Sequence, residues 1–275
     1  VRREAAQEPR VITTQVLELH ARDARIAAHL SGEGPLAVLV HGFPLDHRMW
    51  SAVLRGELSR ARRLCAVDLR GHGQSPWCGD PAHTMELMAA DVADVIEALG
   101  GGPADVCGLS MGGYVALALA EARPELVRSL VLSNTRPTAD SAAQRMGRLA
   151  SIESAARDGR PAVAAAMLEK LLPQTADPLH VAQVRTMIEA TPLESIVADQ
   201  RGMLQREDRS EQLRASATPT LVVAGDQDAL TPLSETLAWN EELLGGDVEV
   251  IAGTGHMSPL EDAAAWSRAV ARFWR

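Results

Sequence analysis

Short runs of consecutive apolar residues recur along the chain, at Leu36–Val40, Leu64–Val67, Ala104–Cys107, Leu126–Leu132, Thr220–Ala224 and Val248–Ile251. A strand covered on both faces reads this way, without the alternation of a half-exposed one. Ahead of them, Thr14–Leu19 and Ala24–Leu30 do alternate, with Asp23 between, and predict a β-hairpin at the sheet edge. The intervals carry a helical period. Asp46 is placed to cap a helix through about Leu58, with Met49, Trp50, Val53 and Leu54 turned inward. Thr84 caps a helix ending at Gly100, whose buried stripe is Met88, Val92, Val95, Ile96 and Leu99. Further helices are expected over Tyr114–Glu121, from about Pro232 to Leu244, and at the end of the chain as far as Trp274. Strands alternating with helices at this spacing predict right-handed crossovers and an α/β class, a mostly parallel central sheet flanked by helices.

The alternation stops between Thr135 and Ser216. That stretch holds only helix-like segments, Ser141–Arg157, Ala162–Leu172, Pro178–Glu189 and Leu193–Arg206, punctuated by Pro161, Pro173, Pro178 and Pro192. An all-helical insertion between two sheet strands reads as a lid over the strand ends. The expected organisation is a core domain of residues 1–134 and 217–275 with a helical lid of residues 135–216. Within the lid, Met146, Met167, Met187 and Met203 fall at helical spacing, where plain core packing explains them better than a pocket does.

Composition narrows the class. A chain of 275 residues, 46% hydrophobic, has the length for one α/β domain with an insertion. A net charge of -9 leaves no basic footprint, so neither nucleic acid nor a membrane is an expected partner. Residues 1–12 read as a poorly ordered leader. Val1–Arg10 is charged and lacks the apolar core of a secretory signal, and no run is long enough to span a bilayer, so a cytoplasmic protein is expected. Cys65, Cys78 and Cys107 are an odd set without metal spacing, and two of them lie in predicted strands, so no disulfide framework is implied.

The chemistry centres on Gly108-Leu109-Ser110-Met111-Gly112, which has the Gly-x-Ser-x-Gly spacing of a nucleophile elbow. Three fixed positions in a glycine-rich turn arise by chance; a strand before them and a helix after them do not. So sharp a turn forces Ser110 into a strained backbone, and the glycines remove side chains that would collide. It also points the first amides of the following helix, Met111 NH among them, at any oxyanion formed nearby. A serine needs a base. Of the eight histidines, His256 follows a strand end in a glycine-rich loop and can reach over the sheet. Asp228 also lies beyond a strand end, where a carboxylate can orient an imidazole; Asp226 competes for that role, and the Gly-x-x-Asp spacing from Gly225 favours Asp228. The chain order Ser, Asp, His differs from that of two other serine-protease folds.

Five blocks, His41-Gly42-Phe43-Pro44, Asp68–Ser75, Gly108–Gly113, Gly225–Asp228 and Gly255-His256, resemble those of small lidded α/β-hydrolases, and together they span nearly the whole chain. The resemblance implies Ser110 as nucleophile, Asp228 as acid and His256 as base, with the Phe43 and Met111 amides as the oxyanion hole. It gives His41 a loop-holding hydrogen bond and His72 a structural place. Haloalkane dehalogenases and epoxide hydrolases of this fold place Asp at the elbow, where this chain has Ser110, and the latter use lid tyrosines, whereas the sole tyrosine here is Tyr114. The expected function is therefore a serine hydrolase cleaving a carboxylic ester of a small or medium acyl substrate through an acyl-enzyme. The alternatives are a lactonase or enol-lactonase and a cofactor-free perhydrolase. A ligand receptor on the same fold is the reading from another class, and a complete triad with both oxyanion elements argues against it. The expected partner is a small-molecule ester or lactone. No cofactor is expected, nor a metal, since His41 and His47 lack ligand spacing. Trp50 and Trp77 read as substrate contacts or as packing equally well.

Overall fold

The computed structural model describes residues 15–21 and 23–275; the expected leader lies outside them. One eight-stranded sheet runs through the molecule. Its strands are β1 (Gln15–Ala21), β2 (Ala24–Ser31), β3 (Leu36–Val40), β4 (Arg63–Asp68), β5 (Ala104–Leu109), β6 (Val127–Ser133), β7 (Thr220–Gly225) and β8 (Val248–Ile251), in spatial order β1-β2-β4-β3-β5-β6-β7-β8. The hairpin β1–β2 and the β2–β4 pair are antiparallel, and all the other neighbours are parallel. The apolar runs of β3, β4 and β5 are buried almost throughout, because helices cover both faces.

The covering helices are α1 (Ser51–Leu54), α2 (Met85–Ala98), α3 (Met111–Ala122), α8 (Leu233–Leu243), α9 (Ser258–Glu261) and α10 (Ala263–Phe273); α4 (Ala142–Leu171), α5 (Pro178–Ala190), α6 (Leu193–Leu204) and α7 (Ser210–Ala215) lie between β6 and β7. Thr84 caps α2, its hydroxyl accepting from Leu87 NH at 3.2 Å. Asp46 caps as expected, accepting from Arg48 NH, but the single helix expected from it to Leu58 is a 3₁₀ turn at His47–Trp50, the one-turn α1, and a second 3₁₀ turn at Glu57–Arg60. Gly56 is extended there (φ -86°, ψ -165°), which ends the helical run. The helices expected over Ser141–Arg157 and Ala162–Leu172 are the two halves of α4, divided at Gly159, whose φ of 74° is not helical.

The segment from α4 to α7 is fastened to the sheet at several points. His83 NH donates to Ala198 O at 2.9 Å, and the Asp199 carboxylate meets His83 Nδ1 at 2.7 Å and His72 Nε2 at 2.9 Å. The Thr191 hydroxyl donates to Pro44 O at 3.0 Å, and the Arg206 guanidinium lies 3.8 Å from the Tyr114 ring centroid. His256 NH donates to Leu171 O at 3.0 Å, joining the end of α4 to the loop after β8. Among the described residues no helix is long and apolar enough to cross a membrane.

Candidate active site

Parallel strands deliver their following loops to one edge of a sheet, and the predicted site residues lie in those loops. Between Leu109, the last residue of β5, and Met111, the first of α3, Ser110 alone makes the turn, with φ 54° and ψ -116°. For a residue with a Cβ this conformation costs about 1–3 kcal/mol and persists only where its surroundings dictate it. Here Ser110 NH donates to Ser133 O at 3.0 Å, while Ser110 O accepts from Gly113 NH at 2.9 Å and from the Thr135 hydroxyl at 2.7 Å. A Cβ on Gly108 would stand 2.1 Å from Gly112 O, and one on Gly112 would stand 2.2 Å from Val40 O. Only glycines let the start of α3 press this closely against β5 and the end of β3.

The end of β3 leads into His41–Pro44. His41 is fully buried; its Nε2 accepts from Leu69 NH and its Nδ1 faces Gly42 O, both at 3.0 Å. An accepting Nε2 requires the proton on Nδ1, which donates to the carbonyl. Burial first, and then the neighbouring His72, push its pKa from 6.5 down to about 4, so the ring stays neutral and acts as a brace for the loop. Leu45 NH closes the turn onto Gly42 O at 2.9 Å. Phe43 thus sits in a braced loop beside the elbow, and Met111 supplies the first amide of α3, which has no intrahelical partner.

Asp228 and His256 meet at the ends of β7 and β8. Asp228 Oδ2 lies 2.8 Å from His256 Nδ1, and both residues are buried. The carboxylate is otherwise fully supplied. Oδ1 accepts from Leu230 NH at 2.8 Å and Thr231 NH at 2.9 Å, and Oδ2 accepts from the Thr231 hydroxyl at 2.5 Å and Asn134 Nδ2 at 2.9 Å. Burial alone would raise its pKa; the His256 charge, and then the hydrogen bonds from His256, Asn134 and Thr231, outweigh it and hold the carboxyl well below the usual range. With Nδ1 tied to Asp228, the second ring nitrogen of His256, Nε2, is buried and has no hydrogen-bond partner within the protein. An imidazole so held can accept a proton at Nε2 while the carboxylate stabilises the cation formed.

Other candidates are accounted for differently. Asp226 turns away and accepts from Gly253 NH at 2.7 Å. The Trp50 ring lies 5.4 Å from the Trp266 ring in the core, and Trp77 is exposed. Cys65 and Cys107 are buried and burial pushes both thiols up, Cys65 to about 12. His47, set aside for want of ligand spacing, joins His29 around Asp68, at 2.8 Å to Oδ1 and 3.0 Å to Oδ2 respectively. The donor set is that of a metal site. Its geometry is not: the two rings stack 3.3 Å apart at 10°, and an ion must lie in the plane of each imidazole that binds it, so nearly parallel planes cannot share one. A cleft of about 290 Å³ opens beyond the acid loop, lined by residues including Thr135, Arg136, Thr231, Glu235 and Trp239; Ser110, His256, Phe43 and Met111 do not line it.

Three participants had no signal in the sequence. Asn134, Thr231 and the Leu171 carbonyl all touch the acid or the histidine loop, yet a polar residue after a strand reads only as a turn, and a carbonyl carries no identity.

Comparison with known proteins agrees with this architecture. The model of the alpha/beta hydrolase fold family matches residues 35–263. A thermophilic esterase from Thermogutta terrifontis superposes with a TM-score of 0.88 at 34% identity, over 95% of this chain and 98% of its own. A 2-hydroxymuconate semialdehyde hydrolase of a Pseudomonas strain is 26% identical over 263 residues, 93% of this chain and 92% of its own. A pimeloyl-[acyl-carrier protein] methyl ester esterase of Nitrosomonas europaea is 38% identical over 114 residues, 42% of each chain.

Proposed function

From the premise that the chain belongs to the α/β-hydrolase fold family and is a hydrolase of that fold, we propose that it cleaves carboxylic esters of small or medium acyl groups through a Ser110 acyl-enzyme. The observation that carries the reading is the Asp228–His256 contact at 2.8 Å, with Nε2 left unpartnered, at the same sheet edge as a serine held at φ 54°. Similarity to an esterase over nearly the whole chain supports the ester as substrate class.

In this mechanism Ser110 Oγ attacks the ester carbonyl carbon as its proton passes to His256 Nε2. The carbonyl oxygen, now an oxyanion, rests on the Phe43 and Met111 amides. Collapse breaks the bond to the alcohol, which leaves with the proton from Nε2. Water then repeats the sequence on the acyl-enzyme and releases the acid. Asp228 stays ionised and keeps the Nδ1–H tautomer aligned. Residues 135–216 form the lid that shapes the acyl pocket.

The test is steady-state hydrolysis of a graded series of nitrophenyl esters and one simple lactone by the wild type and Ser110→Ala. Cycling on the esters that disappears in the variant is expected, with an optimum of chain length that sizes the pocket. A wild type that does not turn over, or a variant that matches it, overturns the reading. Faster turnover of the lactone than of every ester would move the substrate class to lactones.

A further inference from the structure

Asn134 is fully buried at the end of β6, between the acid loop and the histidine loop, with φ 47°. Asparagine tolerates that left-handed backbone better than most residues. Its side-chain amide is spent at both ends. Nδ2 donates to Asp228 Oδ2 at 2.9 Å and to Gly255 O at 3.2 Å; Oδ1 accepts from the Ser258 hydroxyl at 2.6 Å and the Ser133 hydroxyl at 3.1 Å. The Asp228 carboxylate and the Gly255 carbonyl only accept, which settles that the NH₂ end of the amide faces them and leaves Oδ1 to the two hydroxyls. The Ser133 hydroxyl is itself fixed, accepting from Trp266 Nε1 at 3.1 Å. One carboxamide therefore ties β6 to the loop that carries Asp228 and to the residue before His256.

Resting on the triad assignment above, we propose that Asn134 is the positioning residue of the acid–base pair: it holds the Asp228 carboxylate and the Gly255–His256 loop in one frame, and its hydrogen bond to Oδ2 sets how strongly Asp228 draws a proton onto His256. The donors on Oδ2 spread the carboxylate charge. With one removed, more charge remains to stabilise the imidazolium, so His256 holds its proton to higher pH. The charged groups facing His256 are Asp228 from the loop after β7 and Glu261 from α9, whose carboxylate accepts from Gly255 NH and Met257 NH at 3.0 Å. The end of α4 contributes the Leu171 carbonyl. The Glu261 and Leu171 contacts do not involve Asn134, so a shift in the titration reports the donor lost from Asp228.

The experiment measures kcat/KM against pH on the best nitrophenyl ester, normalised to active enzyme by an acylation burst, for Asn134→Ala, Asn134→Gly and Ser258→Ala. Glycine takes φ 47° without strain, so it separates loss of the donor from loss of backbone preference and serves if the alanine variant does not fold. Both Asn134 variants are expected to lose about 10- to 100-fold in kcat/KM, because the acid and the histidine loop lose the tie that keeps them aligned. The acid limb of the profile is expected to move to higher pH. Ser258→Ala, which only frees the amide to turn, should move it the same way by less. Acid limbs coinciding with that of the wild type, with activity lost only as the folded fraction falls, would overturn the proposal and leave Asn134 a structural residue. If Ser110→Ala keeps its turnover in the same assay, the triad assignment fails first and the proposal falls with it.

Discussion

Ser195 and Asp199 of α6, with His83 from the connection before α2, repeat the residue types of Ser110, His256 and Asp228 at the strand ends. In each group the carboxylate meets the imidazole Nδ1, at 2.7 Å and 2.8 Å respectively, and in each the imidazole Nε2 is buried without a partner. A Cβ on Gly71 would lie 2.3 Å from Ser195 Oγ and 3.0 Å from His83 Cε1, so that serine and histidine flank one spot. The differences lie in everything around the three residues. Ser195 is inaccessible and sits in the first turn of a regular helix, whereas Ser110 is half-buried on a strained turn at the head of α3. Asp199 divides itself between two imidazoles of the one connection from β4 to α2, and Asp228 serves one imidazole while neutral donors fill its other positions. A carboxylate–imidazole link is thus common to a fastening and to a candidate active site. Access and prearranged donors separate them.

The largest effect that tests the contrast is expected from Asp228→Asn. An amide in place of the carboxylate favours the wrong tautomer of His256 and should lower kcat by about 10⁴-fold, about 5.5 kcal/mol of barrier. Asp226→Asn should stay within about threefold, since its hydrogen bond goes to Gly253 NH. Kinetics of the two variants side by side decide the matter: a large loss for Asp226→Asn with a small one for Asp228→Asn would exchange their roles.

Asp199→Asn should act on the other side of the comparison, on stability and not on chemistry. His72 Nδ1 lies 3.0 Å from Arg70 O and must carry a proton to donate there, so its Nε2, 2.9 Å from Asp199 Oδ2, can face the carboxylate favourably only with a second proton. Burial opposes that charge, but Asp199 outweighs burial and raises His72 above its ordinary 6.5; in turn, burial would raise Asp199, and His72 with His83 bring it below 3.8. The signs set the pH window. The stabilisation from Asp199 is present above 3.8 and is lost as pH falls through its lowered value. The stabilisation from His72 is complete below 6.5 and is lost as pH rises through its raised value. Breaking a buried pair of this kind costs about 3–5 kcal/mol. Thermal unfolding across pH should therefore reveal a lower midpoint for Asp199→Asn and no His72-linked decline on the alkaline side. Unchanged kcat per folded molecule completes the expectation; a wild-type melting profile would refute the fastening.

Much of this was legible along the chain because the decisive signals are local. Continuous apolar runs marked the parallel strands, and Ser110, Asp228 and His256 each follow such a run within a few residues, which places them at one sheet edge once the strands are parallel. Other features depend on partners far apart in sequence. His83 and Asp199 are 116 residues apart, and Asn134 and Asp228 are 94 apart, so no period or spacing announces either contact. The same holds for His47, which looked solitary until β2 and β4 brought His29 and Asp68 to it. The six-residue α7 is too short for a helical period to register, and the expected helix from Asp46 failed because apolar spacing was weighed above the break at Gly56.

The smallest expected effect is the most direct trial of the resemblance between the two groups. Ser195 Oγ is buried and makes no hydrogen bond, so it contributes desolvation cost without a compensating bond. Ser195→Ala removes that cost, raises helix propensity in α6 and leaves the Asp199 contacts in place. Stability should change by less than about 1 kcal/mol, in the stabilising direction, with kcat and KM on nitrophenyl esters equal to those of the wild type. Against the loss expected for Ser110→Ala, that pair of results would separate two serines with the same neighbours by backbone and access alone. A drop in turnover for Ser195→Ala with stability intact would mean that the buried group takes part in the reaction, and the division between fastening and active site would have to be redrawn.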